Sequence, residues 1–369
     1  MEHSERISPI APTSVKRLLF IPVSSTEGIG EYIRSLTLAL SLKQRYADAI
    51  DVHFALNQHT KYASTCPFNT TLLAQSPTKE NTRVCALIQD YKPDVVIFDC
   101  AGRASQMRSA RAAGAQVVFI SQHAKKRAKG LKLNRVDCID KHWVVQPDFC
   151  IEPLSWLERL KIRCFNLVEP INIGPYFALP DAQSTRQAMA DRGVEAGQYV
   201  VVNAGSGGHL SEQGVCADVF YKAAQELSER LNIPTVVVFG ANYPDALPVS
   251  SDPLVHIVGG LSNAEFIALL ANAKMGLLSA GDALLQAIAL QLPCVAAPVS
   301  KDQPKRLAMC SAQGLVHAAP LNRNTLTAQA VALLNDEQQW ANIQNALQGR
   351  AQLHSQDFIA KQFQELLAL

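Results

Sequence analysis

Three runs of small residues stand where chemistry with an anion could occur: G-S-G-G at 205–208, the pair Gly259-Gly260, and S-A-G at 279–281. Each follows a compact apolar run that reads as a strand. With no bulky side chains in the way, backbone N–H groups in such turns can approach a phosphate. The longest informative stretch is S-A-G-D-A-L-L-Q-A-I-A-L-Q-L-P-C-V-A-A-P-V-S-K-D-Q, from Ser279 to Gln303. Its small residues lead into a helix predicted to open at Asp282 and close before Pro293. A helix start of that kind aims N–H donors and the positive dipole end at an anion. Gln286 lies one turn further on, where its amide can meet a pair of hydroxyls. A second apolar run, 294–297, then leads to Asp302 and Gln303.

These residues need a scaffold, and the hydrophobic pattern supplies one. Apolar runs at 17–23, 50–56, 94–98, 116–120 and 142–145 predict strands in the first half. Helices are expected after Gly28 and Gly30, over 82–91 and over 103–113. The first of these helices should bury Ile33, Leu36 and Leu40, with Tyr32 beside them. Residues 57–81 are polar and read as a loop. After a Pro- and Gly-rich stretch at 169–181 the pattern restarts, with strands at 199–203, 235–239, 255–258, 275–278 and 294–297. Ser262 and Glu265 have capping-box spacing and place a helix start. Alternating strands and helices mean right-handed crossovers and a mostly parallel sheet. The fold class is therefore α/β, with two Rossmann-like domains and a cleft between them. The expected division is 1–172, 173–352, and a C-terminal helix in 353–369 that packs back on the first domain.

Bulk properties narrow the function classes. Among 369 residues, 34 basic and 32 acidic side chains give a net charge of +2, which makes no case for nucleic acid. Nine cysteines without any C-x-x-C pair argue against a zinc ribbon or disulfide framework and favour the cytoplasm. The polar N-terminus lacks the apolar core of a signal peptide.

The 281–303 segment resembles the donor signature of GT-B glycosyltransferases, close in style to UDP-sugar transferases and to the N-acetylglucosaminyltransferase that forms lipid II. Gln286 stands seven residues before Pro293, where that family has a ribose-binding glutamate. Asp302-Gln303 matches its donor-sugar pair, and Ala280-Gly281 its diphosphate turn. G-I-G-E-Y-I-R-S-L-T-L-A, at 28–39, is similar to the family's glycine-rich first loop, with Glu31 in place of a histidine. The chain departs at Gln286, at Glu31 and at Ser279, near where relatives carry His or Arg.

The resemblance implies a metal-independent, inverting transfer of sugar from a nucleotide sugar, UDP-sugar favoured, to a hydroxyl acceptor. No cofactor is implied beyond that co-substrate. Donor contacts fall to Ser206, Gly207, Gly208, Leu261, Ala280, Gly281, Asp282, Gln286, Asp302 and Gln303. A base must take the acceptor's proton, and Glu31, Asp99 and His123 each follow a first-half strand. Gly28, Gly30, Lys125, Lys126 and Arg127 are the acceptor-side candidates. The last three open a run of six basic residues, His123 to Arg135, suited to a lipid-linked diphosphate or glycan acceptor or to an anionic bilayer at the inner membrane face. Leu131 and Leu133 should assist such contact. A nucleotide-sugar hydrolase or epimerase, or a catalytically silent binding protein, would share most of these features.

Overall fold

The computed structural model describes residues 14–23, 29–177, 179–212, 214–350 and 356–368. The first half runs β1 (Lys16–Pro22), α1 (Gly30–Tyr46), β2 (Ile50–Asn57), β3 (Asn69–Leu73), α2 (Asn81–Tyr91), β4 (Val95–Asp99), α3 (Ala104–Ala112), β5 (Gln116–Ser121), α4 (Ala124–Gly130), β6 (Lys141–Val144), α5 (Trp156–Phe165) and β7 (Ile171–Asn172). Its strands pair in the order β3-β2-β1-β4-β5-β6-β7, all parallel. Strand alternation sorts the core. Leu18 and Phe20 face α1, whereas Leu19 and Ile21 face α2 and α3.

Three expectations need correcting here. The 57–81 segment is not all loop, because β3 adds an edge strand. It pairs only with β2 and has one fully buried residue, so its sequence carries no strong apolar signal. The strand at β6 is not the last of this sheet, since β7 follows from within the Pro-rich stretch. Finally, α1 buries more than the expected stripe: Tyr32 is buried and Ile33 and Leu36 pack partly against the core, but Ser35, Leu38, Ala39 and Leu42 are buried as well, together with Arg34, and Leu40 is 48% exposed.

The second half runs α6 (Ala182–Ala190), β8 (Val200–Asn203), β9 (Leu210–Ser211), β10 (Gly214–Val215), α7 (Cys216–Leu231), β11 (Thr235–Phe239), β12 (Val255–Gly259), α8 (Asn263–Asn272), β13 (Met275–Ser279), α9 (Asp282–Ala289), β14 (Cys294–Ala297), α10 (Gln303–Ser311), β15 (His317–Ala318), α11 (Arg323–Asn335) and α12 (Glu337–Gln348). The parallel order is β12-β11-β8-β13-β14-β15, with β9 and β10 forming a small antiparallel ribbon. The capping box at Ser262 forms, its hydroxyl accepting from the Glu265 N–H.

Two segments cross between the halves. After α12, α13 (Gln356–Leu367) returns to the first half, burying Ile359, Phe363 and Leu367; Phe363 meets Trp143 edge-on at 5.7 Å. Residues 148–152, between β6 and α5, lie against the second half. Cys150 joins its core with Sγ 3.5 Å from the Cys310 Sγ, and Lys305 pairs with Glu152. Among the described residues no helix is long and apolar enough to cross a membrane.

Candidate functional site

In each sheet the chain reverses its direction of growth beside the first strand, between β1 and β4 and between β8 and β13. Open parallel sheets bind ligands at such switch points, past the carboxyl ends of the strands. Here the two switch points face one another across a cavity of about 400 Å³. Gly30, Ile33, Arg34, Thr37 and Gln122 line it from the first half. The second half contributes the loops after β8, β11, β12, β13 and β14.

The second-half wall is built on backbone and small side chains. Asn203 closes β8, donating its amide to the Val238 carbonyl at 2.8 Å and accepting the Gly205 N–H at 2.9 Å. Gly205 then turns with φ +77° and Gly207 with φ +88°, conformations that favour glycine. A Cβ on Gly240 would fall 2.3 Å from the Gly205 carbonyl oxygen, so the two turns fit only with glycine there. Beside them β13 ends at Ser279 and α9 begins. Four buried polar atoms on cavity-lining residues have no hydrogen-bond partner among the described residues: Ser206 Oγ, Ser279 Oγ, Asn263 Oδ1 and Arg306 Nε. Each orphan disfavours the structure by about 1–3 kcal/mol; these four lie on the second-half wall, and others, such as Trp143 Nε1 and Gln146 Nε2, are on residues that do not line the cavity.

The opposite wall is ionic and already paired. Arg34 Nε and Nη2 donate to the two Asp99 carboxylate oxygens at 2.9 and 2.6 Å, and the Ser35 hydroxyl adds a bond of 3.2 Å. Burial opposes the Arg34 charge, but Asp99 more than offsets it and holds the guanidinium above its ordinary pKa. The remaining Nη1 reaches across to Asp282 Oδ2 at 3.4 Å, while the Gln122 amide donates to Asp282 Oδ1 at 2.8 Å. Asp282, the first residue of α9, therefore bridges the halves.

The predicted residues divide accordingly. Ser206, Leu261, Gly281, Asp282, Gln286, Asp302, Gln303 and Gly30 come together around the cavity. Asp302 accepts from Ser300 Oγ at 2.7 Å and from Arg306. Burial works against its charge, yet these partners hold its pKa below the usual carboxylate value. Gln303 is buried, accepting the Val299 N–H at 2.8 Å, and its amide nitrogen lies near Gly281. Glu31 sits beside Gly30, half-buried, with its pKa raised by burial against the pull of Arg34. Burial lowers the His123 pKa against the pull of Asp302.

Several expectations do not survive the geometry. Asp99 is wholly buried and held by Arg34 and Ser35, so it cannot reach a substrate hydroxyl; it positions Arg34. Ala280 donates its N–H to Ala297 and accepts from Arg306, leaving no backbone donor for a diphosphate. Gly207 and Gly208 pack on the 240–243 turn instead of lining the cavity. Arg127 is buried, tied to the Glu152 and Pro153 carbonyls and to Glu158. Leu131 is 1% exposed and offers nothing to a bilayer. Lys125 is exposed, and Lys126 points back toward the Cys100 carbonyl. Gly28 lies outside the described residues.

Sequence reasoning missed Arg34, Gln122, Asn203, Asn263 and Arg306. For Arg306 a signal existed, a cation one helical turn after Asp302-Gln303. Arg34 and Gln122 sit among ordinary helix and loop residues, and only the fold brings them to Asp282.

No family model and no curated protein matches the chain. Solved structures do. The glycosyltransferase VinC in complex with dTDP aligns with TM-score 0.62 at 13% identity, covering 95% of this chain and 99% of that one. MnaA from S. aureus, solved with UDP, aligns with TM-score 0.61 at 14% identity over 96% and 98%. A protein described as a UDP-N-acetylglucosamine 2-epimerase from Listeria monocytogenes aligns with TM-score 0.53 at 13% identity over 95% and 96%. At these identities the likeness carries the fold, and the chain has the two-domain Rossmann-like GT-B fold of these proteins over nearly its whole length.

Proposed function

We propose that the protein is a glycosyltransferase that moves a sugar from a nucleotide-sugar donor to a hydroxyl acceptor. The observation that carries this reading is the second-half wall, where unpaired buried polar groups surround the start of α9 at a topological switch point. The donor's diphosphate lies against the Ser206 and Ser279 hydroxyls and the N–H groups of Gly281 and the first turn of α9. Gln286 takes the ribose, and Asp302 with Gln303 faces the sugar. A fixed set of N–H and hydroxyl donors is suited to the negative charge that develops on the leaving diphosphate. The acceptor oxygen attacks the anomeric carbon as Glu31 removes its proton, with inversion and without a metal or resident cofactor. A raised pKa brings Glu31 closer to the working range of a general base. A glycan or lipid-linked acceptor fits the exposed Lys125 and Lys129 of α4, and the free cysteines fit a cytoplasmic setting.

The likeness to an epimerase supports a second reading on the same site, in which water or a ring position replaces the acceptor. Calorimetric titration with UDP-, dTDP-, GDP- and CMP-sugars tests the donor site. We expect binding by one nucleotide class, weakened about tenfold in Gln286→Ala through loss of a hydrogen-bonded pair. No binding at millimolar ligand sinks the transferase and epimerase readings together. Labelled donor alone separates them, since release or rearrangement of sugar without acceptor marks the second.

A further inference from the structure

The helix α5 is an anomaly. It has ten residues, is too short to be stable alone in water, and buries none of them. Trp156 is 72% exposed, Leu157 50%, Leu160 49% and Phe165 46%. Helical geometry places Trp156, Leu157, Leu160 and Cys164 within an arc of about 100°. Arg159 and Arg163 border that arc on one side and Lys161 on the other. Glu158 lies on the opposite face, turned to the protein body, where Arg127 of α4 binds it at 3.2 Å. The same Arg127 grips the carbonyls of Glu152 and Pro153, and Ser155 caps the helix. The body thus fixes the start of α5 firmly while leaving its apolar side uncovered.

Charge selects what covers it. Residues 123–165 hold ten Lys and Arg against five Asp and Glu, in a chain whose net charge is only +2. Lys125 and Lys129 are exposed on α4, whose Arg127 is bound to α5. No acidic residue falls on the apolar arc. An apolar strip carrying Trp, bordered by cations with long stems that reach back to phosphate level, is the pattern of a helix lying in a lipid interface. Anionic headgroups complement the surplus of Lys and Arg.

We propose that α5 is an interfacial anchor that seats the first half on an anionic bilayer, with Trp156, Leu157 and Leu160 in the acyl boundary and Arg159, Lys161 and Arg163 among the headgroups. This rests on the helix and its charge, not on the donor site. Both can therefore be tested apart.

The experiment is sedimentation of the full chain with vesicles of phosphatidylcholine containing about a third phosphatidylglycerol, and with pure phosphatidylcholine, in the absence of donor and acceptor. We expect partition into the anionic vesicles at least about tenfold stronger than into the neutral ones, and weakened by salt. The double variant Trp156→Glu, Leu160→Glu should lose about tenfold or more of that partition. Its thermal midpoint and nucleotide affinity should match the parent, because neither residue is buried. Equal sedimentation of variant and parent, equal binding to both vesicle types, or no binding to either overturns the proposal. A parent that ignores vesicles but self-associates through α5, as shown by a monomeric variant, also overturns it and points to a protein partner.

Discussion

The two switch points have the same topology and opposite chemistry. On the first-half side, a buried guanidinium is gripped by Asp99 through Nε and Nη2 and extends Nη1 to Asp282. On the second-half side, the turns are held by backbone and by Asn203; Asp302 and Gln303 are bonded within the wall, and four polar atoms on cavity-lining residues have no partner among the described residues. One wall is held by an ion pair and the other by backbone turns, with those four unpartnered atoms on it. A Rossmann-like half therefore does not dictate what its switch point binds. Side chains at the strand ends decide whether that edge is braced by an ion pair or by backbone turns.

Three substitutions probe this contrast. The largest effect should come from Asp99→Ala, which strands a buried Arg34 charge. We expect a loss of about 3–5 kcal/mol in denaturant unfolding, much of it recovered when Arg34→Met is added. A small loss would mean the ion pair does not brace the wall. Next is Glu31→Gln, with kcat expected to fall by about 10²–10⁴-fold. Because burial raises the Glu31 pKa, the parent's kcat/KM should fall as pH drops through that raised value. Glutamine should abolish this acidic limb; if His123→Asn abolishes it instead, the base is misassigned. The smallest effect belongs to Ser279→Ala. Donor affinity should weaken by about fivefold to tenfold in titration, while stability holds or rises, since an unpaired hydroxyl has gone. A loss of stability with unchanged affinity would place Ser279 in the scaffold and not in the donor site.

Legibility in the sequence followed how local each cause was. The strands at 235–239 and 294–297 were readable to the residue, because breakers bound continuous apolar runs. The start of α8 was readable from one Ser and one Glu three positions apart. The full buried face of α1, with Arg34 and Ser35 inside and Leu40 outside, was not. Arg34 turns inward because Asp99 waits for it 65 residues away, and a helical pattern scored by hydrophobicity places an arginine outside. The same holds for β3, whose N-T-T-L-L pairs with only one neighbour and needs little apolar surface. At the site, the small residues and Gln286 were visible as a local strand–turn–helix pattern. Gln122 and Arg34 were not, since their meeting with Asp282 depends on how two separate sheets face each other.

One feature of the chain path bears on how those sheets can move. The polypeptide passes from the first half to the second between β7 and α6, and back again between α12 and α13. A body tethered at one point can swivel like a ball joint. Tethered at two, it swings about the line joining them, as a door does on a pair of pins. The seating of α13 on Trp143, with Lys141 paired to Glu365, anchors the second pin. The Cys150 segment, seated in the second half's core, is a third tie between the halves and resists such a swing.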